Sequence, residues 1–399
     1  MGKQRWSKSV RDAAVWQVKA FFCLAVAAPA SSQVADAVAV PEAEVPATAV
    51  LPAPAAQWAY IGDSLKGGIR IVDGVRGKLL ATVQSAPLSD FAVAPDGSAF
   101  YVSESIWTRG NRGTRQNLLA IYDARTLKLQ AEIELPGRLL IASRALNFTL
   151  SADGHYAYIF DMDPATSIHV VDLVQRRFVS TVEVPGCGLA IAIGSVRTAS
   201  LCSDGSLATV EFDAKGQGSP VRTRAFFSAE DDPIFDNSWA DAATGKLVLL
   251  SYTGLIYEAD LAEATKIAKP WSLHEAAGFP RVTTKPLIVN WLPGGRQPIA
   301  VDPDTSRAYV LMHMGEYWTQ KVGGSELWEV DIKARRVLRR LPLPDRVMSV
   351  ALARGSKPLL ILADEAGKAS FLDASSLTQT HAMPGLGVGV ISTAAGGGR

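Results

Sequence analysis

Two cysteines, Cys187 and Cys202, have the spacing that most directly implies chemistry. If Gly194-Ser195 is a two-residue hairpin turn, they face each other across two antiparallel strands, at a separation a disulfide can bridge. Such a bond requires an oxidising compartment. The third cysteine, Cys23, lies in a segment expected to be removed. Five histidines, His155, His169, His274, His313 and His381, are the other candidates for metal or acid–base work, and none sits at ligand spacing. His155 follows a hairpin glycine and reads as turn packing, and His169 lies in an apolar strand and reads as a satisfied core position. There is no Gly-x-Ser-x-Gly elbow and no phosphate-cradling glycine loop followed by Lys-Ser/Thr. Gly323-Gly324-Ser325 lacks a following helix and reads as a turn. No catalytic, cofactor-binding or metal-binding residue is therefore expected in this chain.

Three segments are long, polar and aromatic in a way that simple turns are not. They are 105–115, with Trp107, Arg109, Arg112 and Arg115; 288–297, with Trp291; and 313–321, with Tyr317 and Trp318. Arg, Trp and Tyr are enriched at protein contact surfaces because they combine large burial with directed hydrogen bonds. Each segment is either such a surface or a solvated loop whose tryptophan caps the sheet beneath it, and both readings stay open at this point.

The elements that position these residues are legible from the whole chain. It has 399 residues, 48% hydrophobic and 20% charged, as expected of a folded protein with a large core. The formal charge of +1 is misleading. Residues 1–30 carry Lys3, Arg5, Lys8, Arg11 and Lys19 against Asp12 alone, a net +4, which leaves the remainder at −3. A mildly acidic body without a Lys/Arg run predicts neither nucleic acid nor an anionic membrane as partner. The basic start, the apolar run over 20–28 and the small residues of Ala28-Pro29-Ala30 read as a signal peptide cleaved after Ala30. The run is far below the ~20 residues that span a bilayer. Residues 31–57, rich in Ala, Val and Pro, read as a flexible linker.

From Trp58 onward one unit recurs: an apolar strand, a turn often made by Asp-Gly, a second apolar strand, a third ending in Asp, and an outer strand closing on Pro-Gly or a similar turn. The register residues are Asp73, Asp123, Asp172, Asp213, Asp260, Asp331 and Asp373, spaced 50, 49, 41, 47, 71 and 42 residues apart. That period matches a four-stranded propeller blade, with one large insertion in the long interval. Each Asp is expected to receive backbone N–H groups in the turn to the outer strand. Inner hairpin turns are expected at Asp96-Gly97, Asp153-Gly154, Asp204-Gly205, Thr244-Gly245 and Asp302-Pro-Asp304. Outer strands are expected over 128–136, 178–185 and 337–344, each ending at a proline. The first unit has only three strands, and 387–393 is β-prone with no room for a unit of its own. The pattern thus predicts an all-β, seven-bladed β-propeller over 58–396, closed by pairing of the C-terminal strand with the first blade, with six or eight blades or two stacked sandwiches as alternatives. Helix is expected only near 275–278.

The order of several motifs along these units resembles one family. They are Cys187 to Cys202 followed by Ser203-Asp-Gly-Ser-Leu-Ala208, Arg109 and Arg112-Gly-Thr-Arg115 running into Ile121-Tyr-Asp123, Ser251-Tyr-Thr-Gly254, and Trp291-Leu-Pro-Gly-Gly295. In sequence the chain resembles the heavy subunit of the quinoprotein amine dehydrogenases, the methylamine and aromatic amine enzymes, over essentially all of the mature protein. The resemblance implies a periplasmic subunit without a redox group. It further implies a heterotetramer (α2β2) with a small disulfide-rich light subunit carrying tryptophan tryptophylquinone. The expected reaction oxidises a primary amine to aldehyde and ammonia, with electrons passed to a blue-copper protein of the amicyanin or azurin kind. Trp107, Arg109, Arg112, Arg115, Trp291, Tyr317 and Trp318 then become the candidate light-subunit interface. This sequence departs from the family in its first-blade loop, 60–70, which is shorter and lacks the aromatic residue that lines the family's substrate channel. A free-standing exported propeller that binds a ligand or protein partner is the alternative. A hydrolytic propeller would need convergent Glu, Asn, Asp and His at the strand starts, a set not assembled here.

Overall fold

The computed structural model describes residues 50–393 except 111, 138, 140, 141 and 143. The expected signal peptide, residues 31–49 of the linker and residues 394–396 lie outside the described residues. The described end of the linker is held against the sheets: Leu51 is buried, its N–H donates to Arg125 O at 2.8 Å, and Gly74 N–H donates to Gln57 O.

The chain is all-β and propeller-like. Its strands form six antiparallel sheets: four of four strands, one of five, and one of eight. Helix among the described residues is limited to Leu273–Ala276, capped by Ser272, and a 3-10 turn at Ala145–Asn147. The helix starts two residues before the expected position because the Ser272 side chain accepts the Glu275 N–H and sets the N-terminus.

Each sheet is ordered outward from an inner strand. The inner strands are Ile391–Thr393, Asp90–Val93, Phe148–Leu150, Cys187–Ile193, Trp239–Asp241, Ile299–Asp302 and the C-terminal half of Arg336–Ala353, and each packs against the next in a closed ring. The apolar faces between sheets are filled by alternating side chains, such as Tyr60, Phe100 and Val102 between the first and second. The register aspartates do what their position predicts. Asp73, Asp123, Asp172, Asp213, Asp260, Asp331 and Asp373 each accept at least one backbone N–H from a residue two to four positions ahead. In Asp373 the hydroxyls and N–H groups of Ser375 and Ser376 pull the carboxyl down to about 2.

Closure joins the two ends of the described chain. Ile391–Thr393 pairs antiparallel with Trp58–Gly62, putting Tyr60 opposite Ser392. The strand is shorter than the expected 387–393, because Gly389 and Val390 make single backbone bonds to Gly62 and the Gly387 N–H donates instead to Gly367 O. The eight-stranded sheet departs from the expected pattern. The outer strand expected to end at Pro344 continues as Arg336–Ala353 into the next inner strand. Pro342 and Pro344 fit an extended chain, and the ladder resumes at Val347, which pairs with Gly324 and Asp364.

The disulfide Cys187–Cys202 is present. The two residues are register partners as expected, by a different route. The turn has three residues, 194–196, which offsets the ladder by one. A bulge between Gly188 and Ile191, with Leu189 at φ 73°, restores the register. In the chain-entropy model, closing a loop of 15 residues stabilises by about 3 kcal/mol. Cys187→Ala/Cys202→Ala is accordingly expected to lower the melting temperature by several degrees in calorimetry. An unchanged melt would show that the bond contributes nothing.

Candidate functional site

Antiparallel order fixes where the long segments emerge. In every sheet the second-to-third hairpin and the exit from the outermost strand leave at the same end. Segments 105–115 and 313–321 are second-to-third hairpins, and 288–297 leads into an inner strand, so all three lie on one face. The disulfide lies at this end too.

The seven candidate contact residues differ in what holds them. Ala99–Arg109 and Arg112–Asp123 run past their own sheet, since pairing to the outer strand starts only at Asn117. The ribbon beyond it displays Trp107, Arg109 and Arg112, all exposed. Arg115 is half-buried, and its guanidinium donates to Ser105 Oγ and to Leu139 O at 2.9 and 3.2 Å. Trp318 is 55% exposed and meets Tyr252 edge-on at 5.7 Å, and Tyr252 in turn packs on Phe235 at 4.7 Å. Tyr317 is half-buried, donates its hydroxyl to Asp231 O, and has its phenol pushed up to about 12 by burial and by Asp232. Trp291 is half-buried in a cluster of Phe279, Trp328 and Arg340, with the Arg340 guanidinium 4.7 Å over its ring. The 105–115 ribbon stands on the second sheet and the other two segments on the eight-stranded one, so they share a face without forming one patch.

An exposed apolar strip was not anticipated from the sequence. Leu287, Ile288 and Val289 lead into Asn290–Pro293, which pairs with Met312–Gly315 so that Trp291 opposes Met314. With Met314, Trp318 and Val322, this gives six exposed large apolar residues on two adjoining segments. The signal was present in the apolar run 287–289, which the surrounding loop composition obscured.

The histidines stand at separate places in the fold. His169 is buried between Thr181 Oγ1 at 2.9 Å and Pro136 O at 3.0 Å, with its pKa lowered by burial against the opposing pull of Asp161. His155 is exposed on its turn beside Asp153. His313 is fully buried against Thr319 Oγ1, and burial followed by the Arg346 charge brings it down to about 4. Among the described residues no three His, Cys, Asp or Glu converge as a metal site.

The same face opens on a cavity of about 490 Å³, lined from connections of several sheets. Phe235 and Tyr252 form its apolar wall, and Arg144 is ion-paired to Asp236 at 3.0 Å. Burial raises the Asp236 carboxyl against the opposing pull of Arg144. Arg296 and Lys321 also line the cavity. Arg296 and Lys321 lie in two of the marked segments and Tyr252 in the Ser251–Gly254 motif, but none of the six was expected to line a cavity, because no local spacing relates 144, 236, 252, 296 and 321.

Comparison with known proteins identifies the family. The model of the methylamine dehydrogenase heavy chain family matches residues 65–395. The chain is 28% identical over 302 residues to the methylamine dehydrogenase heavy chain of Methylobacillus flagellatus, covering 75% of this chain and 74% of that one. It is also 28% identical over 329 residues to that of Methylophilus methylotrophus, covering 81% and 79%. Solved structures share the fold alone. A functionally unknown protein from Desulfotomaculum acetoxidans has a TM-score of 0.59 at 13% identity, covering 85% of this chain and 99% of that one. The dihydro-heme d1 dehydrogenase NirN has 0.54 at 18%, covering 89% and 79%. By the extent of the family match, which runs from the first sheet to the closing strand, this chain belongs to the methylamine dehydrogenase heavy chain family.

Proposed function

We propose that the chain is the heavy, non-cofactor-bearing subunit of a periplasmic amine dehydrogenase. In this reading it is exported by a cleaved signal peptide and assembles as an α2β2 heterotetramer with a light subunit. That oxidoreductase converts a primary amine and water to aldehyde and ammonia with release of two protons and two electrons, the electrons leaving one at a time to a blue-copper protein. The observation that carries the reading is the family match over 65–395, joined to a face that carries the exposed Trp and Arg segments. The chemistry itself would be supplied by tryptophan tryptophylquinone in the light subunit. Among the described residues the tryptophan pair in ring contact, Trp291 and Trp328, does not fit that group: their centroids stand 5.9 Å apart, with Trp328 fully buried and its Nε1 donating to Glu326.

We read the fold as seven blades. In support, seven register aspartates recur, and the eight-stranded sheet divides into two four-stranded units where Arg336–Ala353 passes from outer to inner position. The short first-blade loop, turned by Asp63 accepting the Leu65 and Lys66 N–H groups, favours a wider channel and a bulkier amine than methylamine.

Co-expression with the light-subunit reading frame tests this function. The expected product is a periplasmic, coloured complex that reduces dye with arylalkylamines faster than with methylamine. A colourless single chain beside an expressed light subunit would overturn the assignment. In the same assay, Trp107→Ala/Arg109→Ala/Arg112→Ala is expected to weaken assembly by about 100-fold, since a few Trp and Arg anchors carry most interface energy. Unaltered assembly would remove the ribbon from the interface.

A further inference from the structure

We propose that the cavity among Phe235, Tyr252 and Arg296 is a carboxylate-binding site, with the Arg296 guanidinium as the group that takes the charge. The inference stands on this chain's own geometry and holds whether or not the amine dehydrogenase reading is right.

Arg296 is the unusual residue. It is only partly exposed, and its Nε is buried with no acceptor among the described residues. The other guanidinium in the cavity, Arg144, has its counter-ion in Asp236. A guanidinium whose Nε is buried without an acceptor is costly to hold, and it cannot escape by losing its proton at ordinary pH, so an acceptor relieves it. Its planar fork fits a carboxylate with two parallel hydrogen bonds.

The backbone around it is built to hold that position. Arg296 N–H donates to Met348 O at 2.6 Å, and Arg296 O accepts from Asn237 Nδ2 at 2.8 Å. Gly295 before it sits at φ +107°, and a Cβ there would stand 2.6 Å from Met348 O, so only glycine allows the close approach. These contacts tie the residue to two other connections of the ring.

The lining also limits the ligand. Arg144, Arg296 and Lys321 against Asp236 leave an excess of positive charge, which opposes a cationic amine. The Phe235 and Tyr252 rings offer an apolar wall suited to the body of an aryl or alkyl carboxylate. A cavity of about 490 Å³ accommodates a small molecule of that kind. A carboxylate side chain of the light subunit, seated from the same face, has the same chemistry.

Calorimetric titration of the isolated chain with phenylacetate, and with phenethylamine as the cationic control, tests the proposal. Saturable binding of phenylacetate alone is expected, weakened about tenfold or more in Arg296→Gln. The ligand-free R296Q chain is expected to melt at the same temperature or higher, because a desolvated charge is removed; a purely structural arginine would lower it. A second arm measures assembly with the light subunit. If the carboxylate comes from that subunit, R296Q weakens assembly about tenfold and phenylacetate competes with it. Phenylacetate binding that persists in R296Q would overturn the proposal. So would the absence of saturable binding together with assembly indifferent to R296Q.

Discussion

Deleting residues 387–399 is expected to abolish cooperative folding of the propeller. The closing segment buries Val388, Val390 and Ile391 and positions buried Leu386 just before it. At about 1.5–3 kcal/mol for each buried aliphatic side chain, loss of these three removes roughly 4.5–9 kcal/mol, comparable with the whole stability of a folded domain. Polar ties go with them. Gln297 receives the Ile391 N–H at 2.8 Å and donates back to Ile391 O at 3.1 Å, and Ser349 Oγ donates to Gly389 O at 2.9 Å. These bonds link the closing strand to the neighbouring sheet, so the deletion breaks the ring at two junctions. The uncovered strand Trp58–Gly62 would then present an open edge, a template for aggregation. Soluble yield and a thermal melt by circular dichroism read the effect, and a truncated chain that melts as sharply as the full one would refute this account of closure.

Trp328→Ala is expected to destabilise by about 3–5 kcal/mol, the range for deleting a large buried aromatic side chain. Trp328 has no exposed surface, and its Nε1 donates to Glu326 Oε2 at 2.7 Å. Glu326 is also held by Arg340 through two bonds of 2.7 and 3.0 Å, and the Arg340 guanidinium lies 4.8 Å over the Trp328 ring. Phe279 and Trp291, from the insertion between the fifth sheet and the eight-stranded one, complete the cluster. The substitution thus opens a cavity and frees the insertion. Trp328→Phe keeps most of the volume and loses the hydrogen bond, so a smaller loss is expected. Urea unfolding distinguishes them; a loss under about 1 kcal/mol for the alanine variant would mean that the cluster rearranges to fill the space.

The cluster also explains why Trp291 could not be assigned from its neighbours in sequence. Its ring is claimed from one side by Arg340, 49 positions later, and by Trp328. Local composition marks such a tryptophan as valuable without showing whether it faces a partner or its own sheet.

What the sequence by itself determined is the part that depends on short range. Each register aspartate acts on N–H groups two to four residues ahead, so Asp123 or Asp373 announces its turn wherever the rest of the chain goes. The strand alternation and the need for a closing strand follow from similar local counts. Tertiary structure alone decided three things. It let an extended Pro342–Pro344 stretch join two units into one ladder, because proline forbids a hydrogen bond but not an extended backbone. It balanced a three-residue turn with a bulge at Leu189. And it brought Arg144, Asp236, Tyr252 and Arg296 round one cavity, which no periodicity records because ring closure, not spacing, makes them neighbours.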